Sequence, residues 1–175
     1  MMSEPASESA GDPGPRPWAD STDLRRGALF HDDLLALLPL VGVWVAADER
    51  IVFSHQGEPY LSHDHQRWDH DGRITHREHG FWRVEPSSER ILVNLTTLAG
   101  QAELFTGVAG ELEWGFASYE AMAFTDELLS PGERRHYAVT SGLGTGTADR
   151  LSYRIDRLDS SGAFVTVRSG TLSRT

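Results

Sequence analysis

The chain has 175 residues, 26 of them Asp or Glu, 8 His and no Cys, and every one of its 16 basic residues is Arg, for a formal net charge of −10. Without Cys there is no disulfide framework, thiolate nucleophile or Cys-ligated cluster, and without Lys no Schiff base or P-loop lysine. The acidic balance, with Arg scattered among carboxylates, argues against nucleic acid and against anionic membranes as partners.

Residues 1–26 are acidic and rich in Pro, Gly and Ser. They carry no hydrophobic pattern and read as a disordered tail, leaving residues 27–175 as one domain. The N-terminus lacks the basic and apolar regions of a signal peptide, so a cytoplasmic protein is expected. The longest apolar run, Leu34 to Ala47, contains Pro39 and Gly42 and falls short of the ~18 residues of a membrane span. The sequon Asn94-Leu95-Thr96 is then a chance match.

Asp32 and Asp33 suit a helix start, Leu34, Leu35, Leu37 and Leu38 supply its apolar side, and Pro39 is expected to end it. From Val41 onward apolar and polar residues alternate, and turn residues recur about every ten positions. Gln56 to Pro59, His70-Asp71-Gly72, Pro86 to Ser88, Ala99-Gly100, Gly107 to Gly110 and Asp159 to Gly162 mark turns. Between them lie runs such as Ile91/Val93/Leu95, Trp114/Phe116, Arg135/Tyr137/Val139 and Leu151/Tyr153/Ile155, each sharing one side of a strand. About ten short antiparallel strands result. The fold class is all-β: an up-and-down barrel of the lipocalin or fatty-acid-binding-protein kind, with a short N-terminal helix and room for a small ligand.

Six of the eight histidines lie between residues 55 and 79. His63 and His65 share a strand face and, with His70 or a nearby Asp, have the residue types for a divalent metal. A solvated polar face explains them more simply. His76-Arg77-Glu78-His79 lacks the spacing and the helix of a zinc-protease motif. Gly142 to Gly146 has neither a following helix nor a Lys, and reads as a hairpin loop rather than a phosphate loop. Trp44, two residues after Gly42, alternates with Val43 and Val45 and reads as a core aromatic or a plug for the barrel end.

Several segments together resemble the nitrobindin family. They are Leu37 to Trp44, running into that family's G-x-W-x-G-x-G opening at Gly42 and Trp44, then Phe53 to Leu61, His76 to Val84, Gly100 to Gly107, Arg134 to Val139 and Leu151 to Asp156. The resemblance implies a ten-stranded barrel that holds haem b through one His on its last strand, reacts with nitric oxide and converts peroxynitrite to nitrate. This chain departs from the pattern there. Aligning the terminal Leu172 puts Val167 at the axial position, and no His follows His136. Ala46 and Asp48 also replace the second and third glycines of the opening motif.

Three readings follow. The first is a ferric nitrobindin-like barrel, not an enzyme, that binds an apolar or amphipathic small molecule and haem weakly or not at all. The second is a haem b peroxynitrite isomerase with a substitute ligand: His136, or Tyr137 as tyrosinate if it faces inward. The third is an interaction or His-metal module, with the acidic tail and the His-rich stretch as binding surfaces. A homodimer is compatible with all three.

Overall fold

The computed structural model describes residues 30–122, 132–142 and 149–175. Its ten strands are β1 (Gly42–Val45), β2 (Glu49–Ser54), β3 (Leu61–Trp68), β4 (Ile74–Glu85), β5 (Arg90–Thr97), β6 (Ala102–Ala109), β7 (Glu113–Met122), β8 (Glu133–Thr140), β9 (Arg150–Leu158) and β10 (Phe164–Arg174). Each pairs antiparallel with the next, and β1 returns to β10, closing the sheet into the expected up-and-down barrel. No helix among the described residues is long and apolar enough to cross a membrane.

Two turns show how the sequence writes this order. Asp69 Oδ1 accepts from the backbone N–H of Asp71 and Arg73, and Gly72 takes φ 76°. Asp159 Oδ1 accepts from Ser161 and Ala163, and Gly162 takes φ 82°. In each the Asp side chain stands in for a backbone acceptor and the Gly supplies the left-handed residue.

The helix differs from expectation in kind and length. It is a 3-10 helix, Asp32–Leu40, and it runs through Pro39 rather than ending there. Its buried residues are Leu34, Leu37 and Leu40, while Leu35 and Leu38 are exposed. A spacing of three is the period of a 3-10 helix, so one leucine per turn faces the barrel. Trp44 Nε1 donates to Leu40 O at 2.7 Å, Trp114 Nε1 donates to Ala36 O at 3.0 Å, and Arg174 Nη2 donates to Pro39 O at 2.7 Å.

The interior is polarised along the barrel. Beneath the helix it is apolar, with Trp44, Leu61, Trp82, Trp114, Leu151 and Leu172 buried. Further along, the same inward parity brings in Glu49, His65, Glu78, Glu103, Glu133 and Arg135, all buried. The proposed tail at 1–26 and most of the Gly142 to Gly146 loop lie outside the described residues.

Candidate functional site

The charged interior is assembled by strand register. His65 on β3 pairs with Ile51 on one side and directly with Glu78 of β4 on the other. His65 Nε2 lies 2.5 Å from Glu49 Oε1, and its Nδ1 lies 3.4 Å from Glu78 Oε1. Tyr153 of β9 donates its hydroxyl to the same Glu49 oxygen. Across the barrel, Arg135 Nη1 donates to Glu78 Oε1 at 2.6 Å and its Nε to Glu133 Oε1 at 2.5 Å. Arg157 Nε reaches the other Glu133 oxygen at 2.7 Å from the rim.

Burial alone would favour the neutral form of each group, and the partners reverse that where they can. Burial would raise the Glu78 carboxyl, but the Arg135 guanidinium and the hydrogen bond with His65 hold it well below its ordinary value. Glu49 is likewise lowered against the effect of burial by His65 and Tyr153. Burial would lower His65, but hydrogen bonds to Glu49 and Glu78 raise it. Glu103 accepts from Gln101 Nε2, and the more distant Arg135 and Arg157 do not offset its burial. Burial, then repulsion by Glu133, pushes it up to about 7.

His63 is one step deeper and of a different character. Its ring stacks on Phe53 at 4.8 Å and meets Trp82 and Tyr137 edge-on at 5.7 and 6.3 Å. It is fully buried, and neither ring nitrogen has a hydrogen-bond partner. Burial drives its pKa down to about 3, so it is neutral. Trp82 Nε1 and Tyr137 OH have no hydrogen-bond partner either, and His76 Nε2 and Glu78 Oε2 have only each other, at 3.6 Å.

Val167 stands in a bulge of β10. Thr166 and Arg168 pair with consecutive β9 residues, Asp156 and Ile155, leaving Val167 between them and half exposed. It borders a cavity of about 140 Å³ lined by His76, Glu78, Arg135, Arg157 and Arg168 among others. Cofactor pockets run to roughly 300–1,000 Å³ with mostly apolar walls. Behind the strand the interior is full: a Cβ at Gly170 would lie 2.6 Å from the Tyr153 ring and 2.8 Å from Glu49 Oε2. Val167 itself offers no lone pair to a metal, and the space beside it is small and charged.

The other predicted residues are placed as follows. Trp44 is fully buried at the helix-covered end, with the Arg174 guanidinium 4.0 Å above its ring. Gly42 opens β1 at φ 143°, and a Cβ there would meet Arg174 Nη1 at 2.7 Å. Tyr137 faces inward, its hydroxyl held protonated by burial, and is enclosed by Phe53, Trp82 and Phe116. His136 is on the outer wall, 3.8 Å from Glu113, and does not reach the interior. His63 and His65 both face inward, but His70 is exposed on a turn and is no third partner to them. Glu78 takes that place. Sequence reading missed Glu49, Glu78 and Glu133 as interior groups. The parity signal was present: His63 and His65 alternate in step with Leu61, and Glu133 with Tyr137.

Comparison with known proteins agrees with this architecture. A family model described as a THAP4-like, heme-binding beta-barrel domain matches residues 33–174. "Peroxynitrite isomerase 1" of Mycobacterium ulcerans is 36% identical over 181 residues, covering 89% of this chain and 90% of that protein. A "Ferric nitrobindin-like protein" of Corynebacterium diphtheriae is 39% identical over 136 residues, covering 66% of this chain and 60% of that protein. The crystal structure of Rv2717c from M. tuberculosis superposes with a TM-score of 0.68 at 21% identity, covering 84% of this chain and 99% of that one, a likeness of fold.

Proposed function

The chain belongs to the THAP4-like, haem-binding β-barrel family, the nitrobindins, and on that premise we propose that it is a ferric nitrobindin-like barrel that takes up a small amphipathic molecule without ligating haem iron through a histidine of its last strand. The observation that carries this reading is Val167 in the β10 bulge, facing a cavity ringed by Arg135, Arg157 and Arg168. Those guanidiniums suit a polar or anionic group on the molecule. A separate apolar groove of about 250 Å³, lined by Phe81, Leu104 and Met122 on the outer wall, shares no lining residue with that cavity.

The relatives named as peroxynitrite isomerases favour a second reading, a haem b protein with a substitute iron ligand. Tyr137 is the residue for that role from the inner wall, and its aromatic enclosure opposes it: tyrosinate is disfavoured by burial, and no open face lies above its hydroxyl. Titration of the purified chain with ferric haem separates the two readings. The expected result is a broad, non-saturating absorbance. A sharp Soret band at one equivalent, lost in Tyr137→Phe, overturns the first reading in favour of the second.

A further inference from the structure

A fully buried histidine with neither nitrogen satisfied is uncommon, and an unseen ion or water is a standard reason for one. His63 has two such atoms and lies beside two further donors. One ligand atom each from His63, His65 and Glu78 fall within 4.8 Å of one another, all buried. We propose that His63, His65 and Glu78 bind a divalent transition-metal ion of the zinc class inside the barrel.

The donor set argues for the metal class. Two imidazoles and one carboxylate suit zinc and its neighbours, whereas magnesium and calcium take oxygen donors alone. Three protein donors leave one position of a tetrahedral ion to water or an exogenous ligand. Donors on such an ion sit about 3.3 Å apart, so capture draws the three side chains together by roughly an ångström.

The surroundings fit an ion as well as the donors do. His65 gives its Nε2 proton to Glu49 at 2.5 Å, leaving Nδ1 on the side of Glu78. A carboxylate behind a metal-bound imidazole is the usual outer arrangement and fixes its tautomer. Arg135 occupies Glu78 Oε1, while Oε2 has no hydrogen bond and only His76 Nε2 near it at 3.6 Å. Four carboxylates, Glu49, Glu78, Glu103 and Glu133, are buried against a single buried guanidinium among the described residues. The cavity beside Val167 reaches one of the three donors, Glu78.

The test uses the whole chain, stripped with chelator and titrated with Zn2+ against a chromophoric competitor, and with Co2+ for its visible spectrum. One equivalent is expected, with a tetrahedral Co2+ band and a rise in Tm. His63→Phe keeps an aromatic ring against Phe53 and removes both orphan nitrogens, and its folding is checked by circular dichroism and Tm without metal. It is expected to lose affinity by about a hundredfold or more, together with the Co2+ band and the Tm rise. Glu78→Gln is expected to do the same where it folds, and His70→Ala on the exposed turn to change nothing. Absence of stoichiometric binding in the parent chain, or affinity unchanged in His63→Phe, overturns the proposal. Loss in His70→Ala instead identifies a surface site and overturns it equally.

Discussion

Arg135 Nη1 lies 2.6 Å from Glu78 Oε1, an ion pair between β8 and β4 that spans the barrel with both side chains shut off from water. Removing one member of such a pair leaves an uncompensated charge, a loss of about 3–5 kcal/mol. Arg135→Met is therefore expected to destabilise the chain by that amount in urea unfolding at pH 7. Glu78 is held well below its ordinary value by Arg135, so the pair's stability is present above the unfolded carboxyl pKa and is lost as pH falls. The deficit of the variant should accordingly shrink towards pH 4, because Glu78 of the variant, buried without Arg135, protonates while that of the parent stays ionised.

Glu103 has the opposite sign. Its carboxyl is raised from 4.5 to about 7, chiefly by burial. A raised carboxyl is protonated on folding, so its destabilising effect is absent below about pH 4.5 and complete above pH 7. A shift of that size corresponds to about 3 kcal/mol. Glu103→Gln should equal the parent at pH 4 and exceed it by up to that amount at pH 8, measured as the difference in unfolding free energy at the two pH values.

A histidine restored at position 167 tests whether the axial ligand is all that separates this interior from a haem pocket. Val167→His alone is expected to give no sharp, stoichiometric Soret band, because the adjoining space is about 140 Å³ and lined by Arg135, Arg157 and Arg168. A sharp band in this single variant would show that the cavity opens readily and that the ligand alone was missing.

Arg174 holds the helix to the barrel wall. It donates to Pro39 O at 2.7 Å and to Val41 O, pairs with Asp149 at 3.0 Å and lies over Trp44. Hydrogen bonds from a charged donor contribute about 1.5–3 kcal/mol each, and the ring contact about 1 kcal/mol. Arg174→Met is expected to cost about 3 kcal/mol and to raise amide exchange in residues 32–41 ahead of the rest of the chain.

Alternation and turn residues made the strands and the closed barrel legible, because a period of two and an Asp-x-x-Gly turn are local properties. The 3-10 helix was less so: Leu34, Leu35, Leu37, Leu38 and Leu40 satisfy several helical periods, and only packing against the barrel selects every third. The site was half legible. Parity alone set Tyr137 against His136 and put His63 and His65 on one face. That His65 meets Glu78, and Glu78 meets Arg135, depends on the register of β3 with β4 and on facing walls of the barrel, which no short stretch of sequence encodes. Charged residues at inward positions also break the hydrophobic pattern by which inward positions are recognised.

The seam between β1 and β10 rests on two paired positions, Trp44 with Arg174 and Val45 with Ser173, supported by Thr175 N–H to Val43 O at 3.1 Å. Every other junction is a hairpin or short connection between successive strands, whereas this one bridges 132 positions of the chain. Its closure entropy is the largest of any junction, and it can form only once the intervening strands have aligned. Should it part, the wall becomes an open sheet with two bare edges, the geometry in which one molecule adds its strand to another. The short Trp44–Arg174 zipper is thus what leaves the barrel wall without a free strand edge.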